Sequence, residues 1–488
     1  MSNAVPDTER AWTVGTAPGI FPSIGHPIAL LRRPLDFLNS LPARGDLVEI
    51  RLGPLRAWMA CHPEVAHQVL MDTRTFDKGG PLYNRLRPLM GNGLVTCRQD
   101  AHRRQRRLLQ PDFRPSRVPD HTDMMRREAE VACREWRAGG EVDVSAATLA
   151  LTTRVMNHVL FSDSLGGAAA AEVGERLAVI VRGLFVRTAV PVDAPFRVPT
   201  PANRRYRHAV DRVHTIVDEV VARRRRGGPD GDRDDVLGTL LSAAREGSSG
   251  VTEQEVHDQL VTLLLTGAES TALCLASALD LLARHPEAER RLHAEVDAVT
   301  ADRPRPGPDE LPYTRSVVAE TLRHRPPGWL FTRITTQETT LAGQRLPRGT
   351  TVLYSPYLLH HDPASFPDPE RFLPERWLPG ATADPRGAML PFAAGSRKCL
   401  GDTFAVAETT LTLATIAGRW RLRHLPGYAE RLRPAATLGP RSLVMTSEPR
   451  VHAPEGTAPP ARSLALRATT AARAQDPRTA GDNGVDDA

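Results

Sequence analysis

No C-x-x-C pair occurs in the chain, and cysteine itself is scarce: Cys61, Cys97, Cys133, Cys274 and Cys399 are scattered, and five is an odd number. That excludes a disulfide framework and a cysteine zinc site, and it fits a reducing, cytoplasmic setting. Long apolar runs are missing too. Nothing approaches the ~18 uninterrupted apolar residues of a membrane span. The first ten residues, M-S-N-A-V-P-D-T-E-R, lack a charged-then-apolar leader pattern. The formal charge is +6 and the pI near 9.3, yet no basic stripe is interleaved with aromatics, so nucleic acid is not an expected partner. The remaining balance, 41% hydrophobic and 25% charged, is that of an ordinary globular protein.

What is present converges on one cysteine. Residues 392–401 read F-A-A-G-S-R-K-C-L-G. Gly395 allows a tight turn with positive φ. The run 400–415 is apolar and helix-compatible, and Gly418 is a stop. Cys399 thus faces a helix start, with Arg397 and Lys398 just before it. The helix dipole and both cations favour the thiolate, the form that binds metals. Alone, such a cysteine reads better as a buried free thiol at a helix start; the surrounding pattern reverses that.

Three other stretches stand out. In D-A-H-R-R-Q-R-R-L-L-Q-P (100–111), His102 and Arg106 share a helix face, although the charge run by itself describes a solvated basic helix. Residues 251–285 form the longest helical candidate, with Thr252 and Glu255 as a capping box. Its middle, L-V-T-L-L-L-T-G-A-E-S-T-A-L-C-L-A, is apolar nearly all round, so it runs through a core. It nevertheless holds Gly267, which costs ~1 kcal/mol against Ala, and Glu269, Ser270 and Thr271. Either the helix is distorted over a bound cofactor, or it is a core helix whose hydroxyls bond back to the preceding turn. In Y-T-R-S-V-V-A-E-T-L-R-H-R-P-P (313–327), Glu320 and Arg323 are three apart and can pair, commonly at a surface.

Elsewhere, residues 1–20 read as a loose arm, 45–50 and 52–59 as a hairpin, and 62–70 as a short helix. Residues 77–97 read as a long functional loop. Helical patterns dominate 124–220, Arg223–Arg226 read as a helix end, and Asp234 reads as the next cap. Residues 351–354 have a strand pattern, and 448–488 read as a disordered tail.

The order F-x-x-G-x-R-x-C-x-G, E-x-x-R, T-G-A-E-S and H-x-x-x-R resembles the cytochrome P-450 family, the haem-thiolate monooxygenases. The resemblance covers about residues 20–447. It implies a mainly α fold with small β-sheets and one catalytic domain over 21–447. It further implies haem b with its iron on Cys399 and propionates held by His102, Arg106, Arg333 and Arg397. Glu269, Ser270 and Thr271 would deliver protons; Ser270 stands where the family usually has threonine, and Thr266 also departs from its pattern. Glu320 and Arg323 would be a buried pair locked by Arg376, with Arg371 as runner-up. H-H-D-P-x-x-F-P-D-P (360–369) matches the family's meander.

The implied pocket comprises Leu82, Tyr83, Leu86, Met90, Leu263, Gly267, Trp329, Leu330, Phe331 and Leu438, without an anchor for a carboxylate or sugar. It implies hydroxylation with O2, and further oxidation to an aldehyde, of a small apolar substrate. Electrons would come from NAD(P)H through ferredoxin reductase and ferredoxin. The ferredoxin would dock on a basic surface of Arg103, Arg104, Arg107 and Lys398 of a monomer. A-P-G-I-F-P-S-I-G-H, F-D-K-G-G-P-L, H-R-R-Q-R-R-L-L-Q-P-D-F and P-A-N-R-R-Y are similar to bacterial sesquiterpene-oxidising members. The expected substrate is therefore a cyclic sesquiterpene such as pentalenene, in terpenoid antibiotic biosynthesis. A macrolide or fatty-acid hydroxylase, a peroxide-driven enzyme and a non-catalytic haem-binding protein stay open as alternatives.

Overall fold

The computed structural model describes residues 11–450, apart from 20–24, 190–193, 228–233, 248–249, 382–386, 430–431, 433, 435 and 441. Its axis is the 32-residue helix Glu253–Arg284. Thr252 caps it, its side chain accepting from the Glu255 amide at 3.1 Å. The expected capping box is only half formed, because the Glu255 carboxylate reaches Arg104 instead, at 2.6 Å. Most of the helix is buried, as its all-round apolar pattern requires. It is the one helix among the described residues long and apolar enough to cross a membrane, and it lies inside the core.

Around it pack the helices Val144–Phe161, Pro201–Arg226, Pro312–His324 and Asp402–Arg419. Pro201–Arg226 ends in its arginine run as expected. Arg224 there is buried against Asp235 at 2.7 Å. Asp235, rather than Asp234, caps the next helix, accepting from the Gly238 amide at 2.8 Å. Asp234 instead pairs with Arg117.

A six-stranded sheet lies to one side, in the order Val14–Thr16, Leu47–Leu52, Leu55–Ala60, Thr351–Tyr354, Phe331–Thr335, Phe76–Asp77. The second and third strands are the expected hairpin, joined antiparallel from Leu47–Ala60 to Leu52–Leu55. Two expectations need correcting. The chain from Thr13 is not a loose arm: Val14–Thr16 pairs with Leu47–Glu49, and Thr13 bonds to Asp46. Residues 77–97 are not a loop throughout, since Pro81–Met90 is a helix with proline at its first position, where no amide bond is lost.

A three-stranded sheet joins Trp420–His424, Val444–Pro449 and Glu141–Asp143. It carries the ordered chain past 447, and Arg450 pairs with Asp297 at 2.6 Å. The rest of the expected tail, 451–488, lies outside the described residues, as do 1–10. All five cysteines are free thiols.

Candidate active site

A cavity of about 380 Å³ opens between the central helix and the loop before Asp402–Arg419. The loop holds Cys399 at its floor. The Cys399 amide donates to the Phe392 carbonyl at 2.9 Å, closing the turn. Gly395 has φ 68°, and a Cβ there would meet the Leu70 carbonyl at 2.5 Å, so glycine is required twice over. Arg106 donates to the Lys398 carbonyl and pins the loop from the opposite side. The thiol surface of Cys399 opens onto the cavity although protein surrounds it. Burial pushes its pKa up, while the Gly401 amide, Arg106 and Lys78 pull it down. The two cations expected from the sequence act elsewhere: Arg397 pairs with Asp77 at 2.7 Å, and Lys398 with Asp402 at 2.5 Å.

One edge of the cavity is a cluster of cations. Lys78, His102, Arg106, Arg333 and Arg397 all line it. Arg333 is fully buried and donates to the Tyr83 and Tyr354 hydroxyls at 3.1 and 3.3 Å. Among the described residues no carboxylate pairs with it. The Nε atoms of Arg333 and Arg397 are buried without a hydrogen-bond partner. Burial, with Arg397 and Arg333 nearby, pushes Lys78 down to about 7. Burial and the same cationic surroundings push His102 down to about 3. Such a cluster costs free energy unless an anion neutralises it. Lys78 is absent from the sequence reading; its only signal there is the stretch F-D-K-G-G-P-L.

The opposite wall is apolar. Leu82, Tyr83, Leu86 and Met90 come from the helix Pro81–Met90, and Leu263 and Gly267 from the central helix. Leu330 and Phe331 enter from the other side, as expected. Trp329 and Leu438 do not line the cavity. Both are buried in a separate apolar cluster against the large sheet. The Leu438 amide donates to the Pro327 carbonyl at 2.9 Å, and neighbouring Thr437 takes the cavity position instead. Sequence reasoning also misses Met156, Ile180 and Leu184, which come from helices without a motif.

The central helix passes over the cavity without interruption, so the expected distortion is not there. Gly267 serves packing: a Cβ would lie 2.6 Å from the Met156 sulfur. Thr152 of that neighbouring helix donates to the Ala268 carbonyl at 2.8 Å. The hydroxyls bond back along the helix, Ser270 to Thr266 at 2.8 Å and Thr271 to Gly267 at 3.1 Å. Glu269 accepts from the Thr437 hydroxyl at 2.6 Å.

Glu320 and Arg323 lie outside the cavity and both are fully buried. Arg323 donates both Nε and Nη2 to Glu320, at 2.9 and 2.8 Å. The Leu373 amide at 2.9 Å and the Trp377 indole at 2.8 Å also donate to Glu320. Arg376 adds an ion pair at 3.5 Å, so it is the second arginine on Glu320. Arg371 contributes only its carbonyl, and its side chain is exposed.

The cytochrome P450 family model matches residues 18–452. The chain belongs to the cytochrome P450 family. As a P450 monooxygenase it works with haem, O2, a redox partner and an apolar substrate, and its mainly helical fold with small sheets is that of the family. It is 48% identical to cyclooctat-9-en-7-ol 5-monooxygenase of Streptomyces melanosporofaciens, over 92% of this chain and 98% of the relative. It is 46% identical to cyclooctatin synthase of the same organism, over 92% and 99%. It is 39% identical to pentalenene oxygenase of Streptomyces avermitilis, over 91% and 97%.

The P450 site fits its cofactor on structural grounds. Haem carries two carboxylates on an apolar plate and an iron that takes thiolate. The cavity offers a thiol on its floor, apolar walls and, at one edge, buried Arg333 without a carboxylate partner among the described residues, next to Lys78, Arg106 and the Asp77-paired Arg397.

Proposed function

We propose that this P450 hydroxylates an unactivated C–H bond of a cyclic terpenoid. The apolar wall above Cys399 carries the reading. Of the two carboxylates that line the cavity, Glu269 is engaged by Thr437 and Glu408 is fully buried with burial pushing its pKa up to about 8, so neither is a charged anchor for a polar substrate. The names of the similar relatives support the same class. Pentalenene is one candidate; cyclooctat-9-en-7-ol, from the name of the relative of 48% identity, is another.

Haem b bound through Cys399 supplies the O2 activation and the C–H chemistry. The chain supplies the rest. Lys78, His102, Arg106, Arg333 and Arg397 hold the haem carboxylates, which neutralise their edge of the cavity. Burial disfavours the free Cys399 thiolate, so Cys399 would hold the iron as thiolate with the metal's charge offsetting that cost. The Gly401 amide then stabilises the sulfur charge. The apolar wall holds the substrate and keeps out bulk water. Glu269 and Thr437 form a carboxylate–hydroxyl pair at the cavity edge, able to pass a proton inward. Ser270 and Thr271 spend their protons on helix carbonyls but keep lone pairs that order water. An acid–alcohol pair favours reductase-driven turnover over a peroxide-driven route.

Electrons originate from NAD(P)H and arrive through a ferredoxin. It docks on an open cleft of about 550 Å³ beneath the cysteine loop, lined by Arg74, Arg103, Arg107 and Arg114. Arg104, tied to Glu255, is not part of it. The test is titration of the haem-loaded enzyme with cyclic terpenes, macrolides and fatty acids, followed by product analysis. A spin-state shift and an oxygenated product with terpenes alone is the expected result. A shift and product with a macrolide or fatty acid alone overturns it.

A further inference from the structure

Away from the cavity, His324, His361 and Glu370 come together where the helix Pro312–His324 meets the segment after Pro356–His360. A nitrogen of each ring and a carboxylate oxygen of Glu370 all lie within 4.8 Å of one another. Neither the O2 chemistry nor the Glu320 lock uses these three side chains.

The hydrogen bonds around the rings fix their tautomers. His324 Nε2 faces the Glu370 carbonyl at 3.2 Å, and a carbonyl only accepts, so Nε2 carries the proton. Nδ1 of His324 is then a bare lone pair, and it is buried with no partner. His361 Nδ1 faces the Tyr357 carbonyl at 2.8 Å, which leaves the lone pair on Nε2. A ring whose other nitrogen donates to a backbone carbonyl is the usual metal-ligating arrangement, because that bond orients the ring and raises its basicity. The nearby cations are already compensated: Arg323 by Glu320 and Arg325 by Asp280. Glu370 is therefore the carboxylate available to a divalent ion, and being exposed it can swing inward.

We propose that His324, His361 and Glu370 form a divalent-metal site of the zinc class, which ties the 360–371 segment to the end of the helix Pro312–His324. Two imidazoles and one carboxylate, with water completing the shell, suit zinc better than calcium or magnesium, which prefer all-oxygen shells. Tetrahedral zinc with bonds of about 2.0–2.1 Å places its ligand atoms roughly 3.3 Å apart. Of the three side chains, the exposed Glu370 is the one whose rotation closes the cluster. The same segment gives the His360 and Arg371 carbonyls to Arg323, so the metal stiffens the Glu320–Arg323 lock from outside.

The test uses the untagged, haem-loaded full chain, stripped with a chelator and titrated with zinc. Expected are one tight zinc per chain, a rise in melting temperature on adding zinc, and a zinc-edge X-ray absorption spectrum with two imidazoles. Glu370→Ala, a change at an exposed side chain, weakens binding at least ten-fold and removes most of the melting shift. His361→Asn abolishes both. Zinc that fails to bind the wild type stoichiometrically, or that binds both variants as tightly, overturns the site.

Discussion

Cys399 and Glu320 both lie inside protein, and the chain provides for their charges differently. Cys399 has one amide donor and distant cations, so its charge waits for a metal. Glu320 has two bonds from Arg323, an indole, an amide and Arg376, so its charge is fully satisfied. Glu320→Ala strands the buried Arg323 and lowers stability by about 3–5 kcal/mol, read by denaturant unfolding. Arg371→Ala, at an exposed side chain, changes it by less than about 0.5 kcal/mol. At the proton-delivery end, Glu269→Gln lowers product formed per NAD(P)H about ten-fold or more, while substrate-induced spectral binding stays within two-fold. Unchanged coupling in that variant removes Glu269 from the proposed relay. Residue identities of this kind are legible wherever the chemistry is local. The loop 392–401 singles out Cys399 as the proposed iron ligand, and E-x-x-R names its pair. Lys78 is not legible, because its role depends on Arg333 and Arg397 meeting it across the fold.

At the level of elements, the central helix shows what pattern reading can and cannot reach. Its length, its burial and the Thr252 cap follow from periodicity and end signals. The function of Gly267 does not, because it depends on Met156 of another helix. Trp329 and Leu438 differ from expectation for a related reason. Leu330 and Thr437 line the cavity while their neighbours Trp329 and Leu438 turn into the sheet cluster, and a side chain's direction in irregular chain depends on the packing around it. The helix makes a direct prediction. Gly267→Ala drives the flexible Met156 side chain into the cavity that it already lines. The variant folds with haem, and terpenoid binding weakens about ten-fold by spectral titration, or roughly 1.4 kcal/mol. Unchanged affinity shows that Met156 has room to move elsewhere.

The whole molecule carries several buried neutral histidines, and these set its acid stability. His360 is fully buried; its Nδ1 bonds to the Arg323 carbonyl and its Nε2 accepts the Leu390 amide at 2.8 Å. Burial holds His360 at about 3 and His293 at about 4. Their folded pKa values lie below the unfolded value near 6.5, so the unfolded chain binds the extra protons and stability falls as pH drops below that value. Each such group costs about 1.4 kcal/mol one unit below it. Denaturant unfolding at pH 7.5 and 5.5 shows the loss, and His293→Gln makes the slope shallower; a flat profile contradicts the assignment. The same scale holds the central claim, that one cavity joins a thiolate-bound haem to a dry apolar chamber. Carbon monoxide difference spectroscopy of the reduced, fully haem-loaded chain tests it most directly. The account predicts the red-shifted band of thiolate-ligated carbonyl haem in the wild type, and its loss in Cys399→His with haem retained by the cation edge. A wild type at full haem load without that band, or a Cys399→His variant that keeps it, contradicts the account.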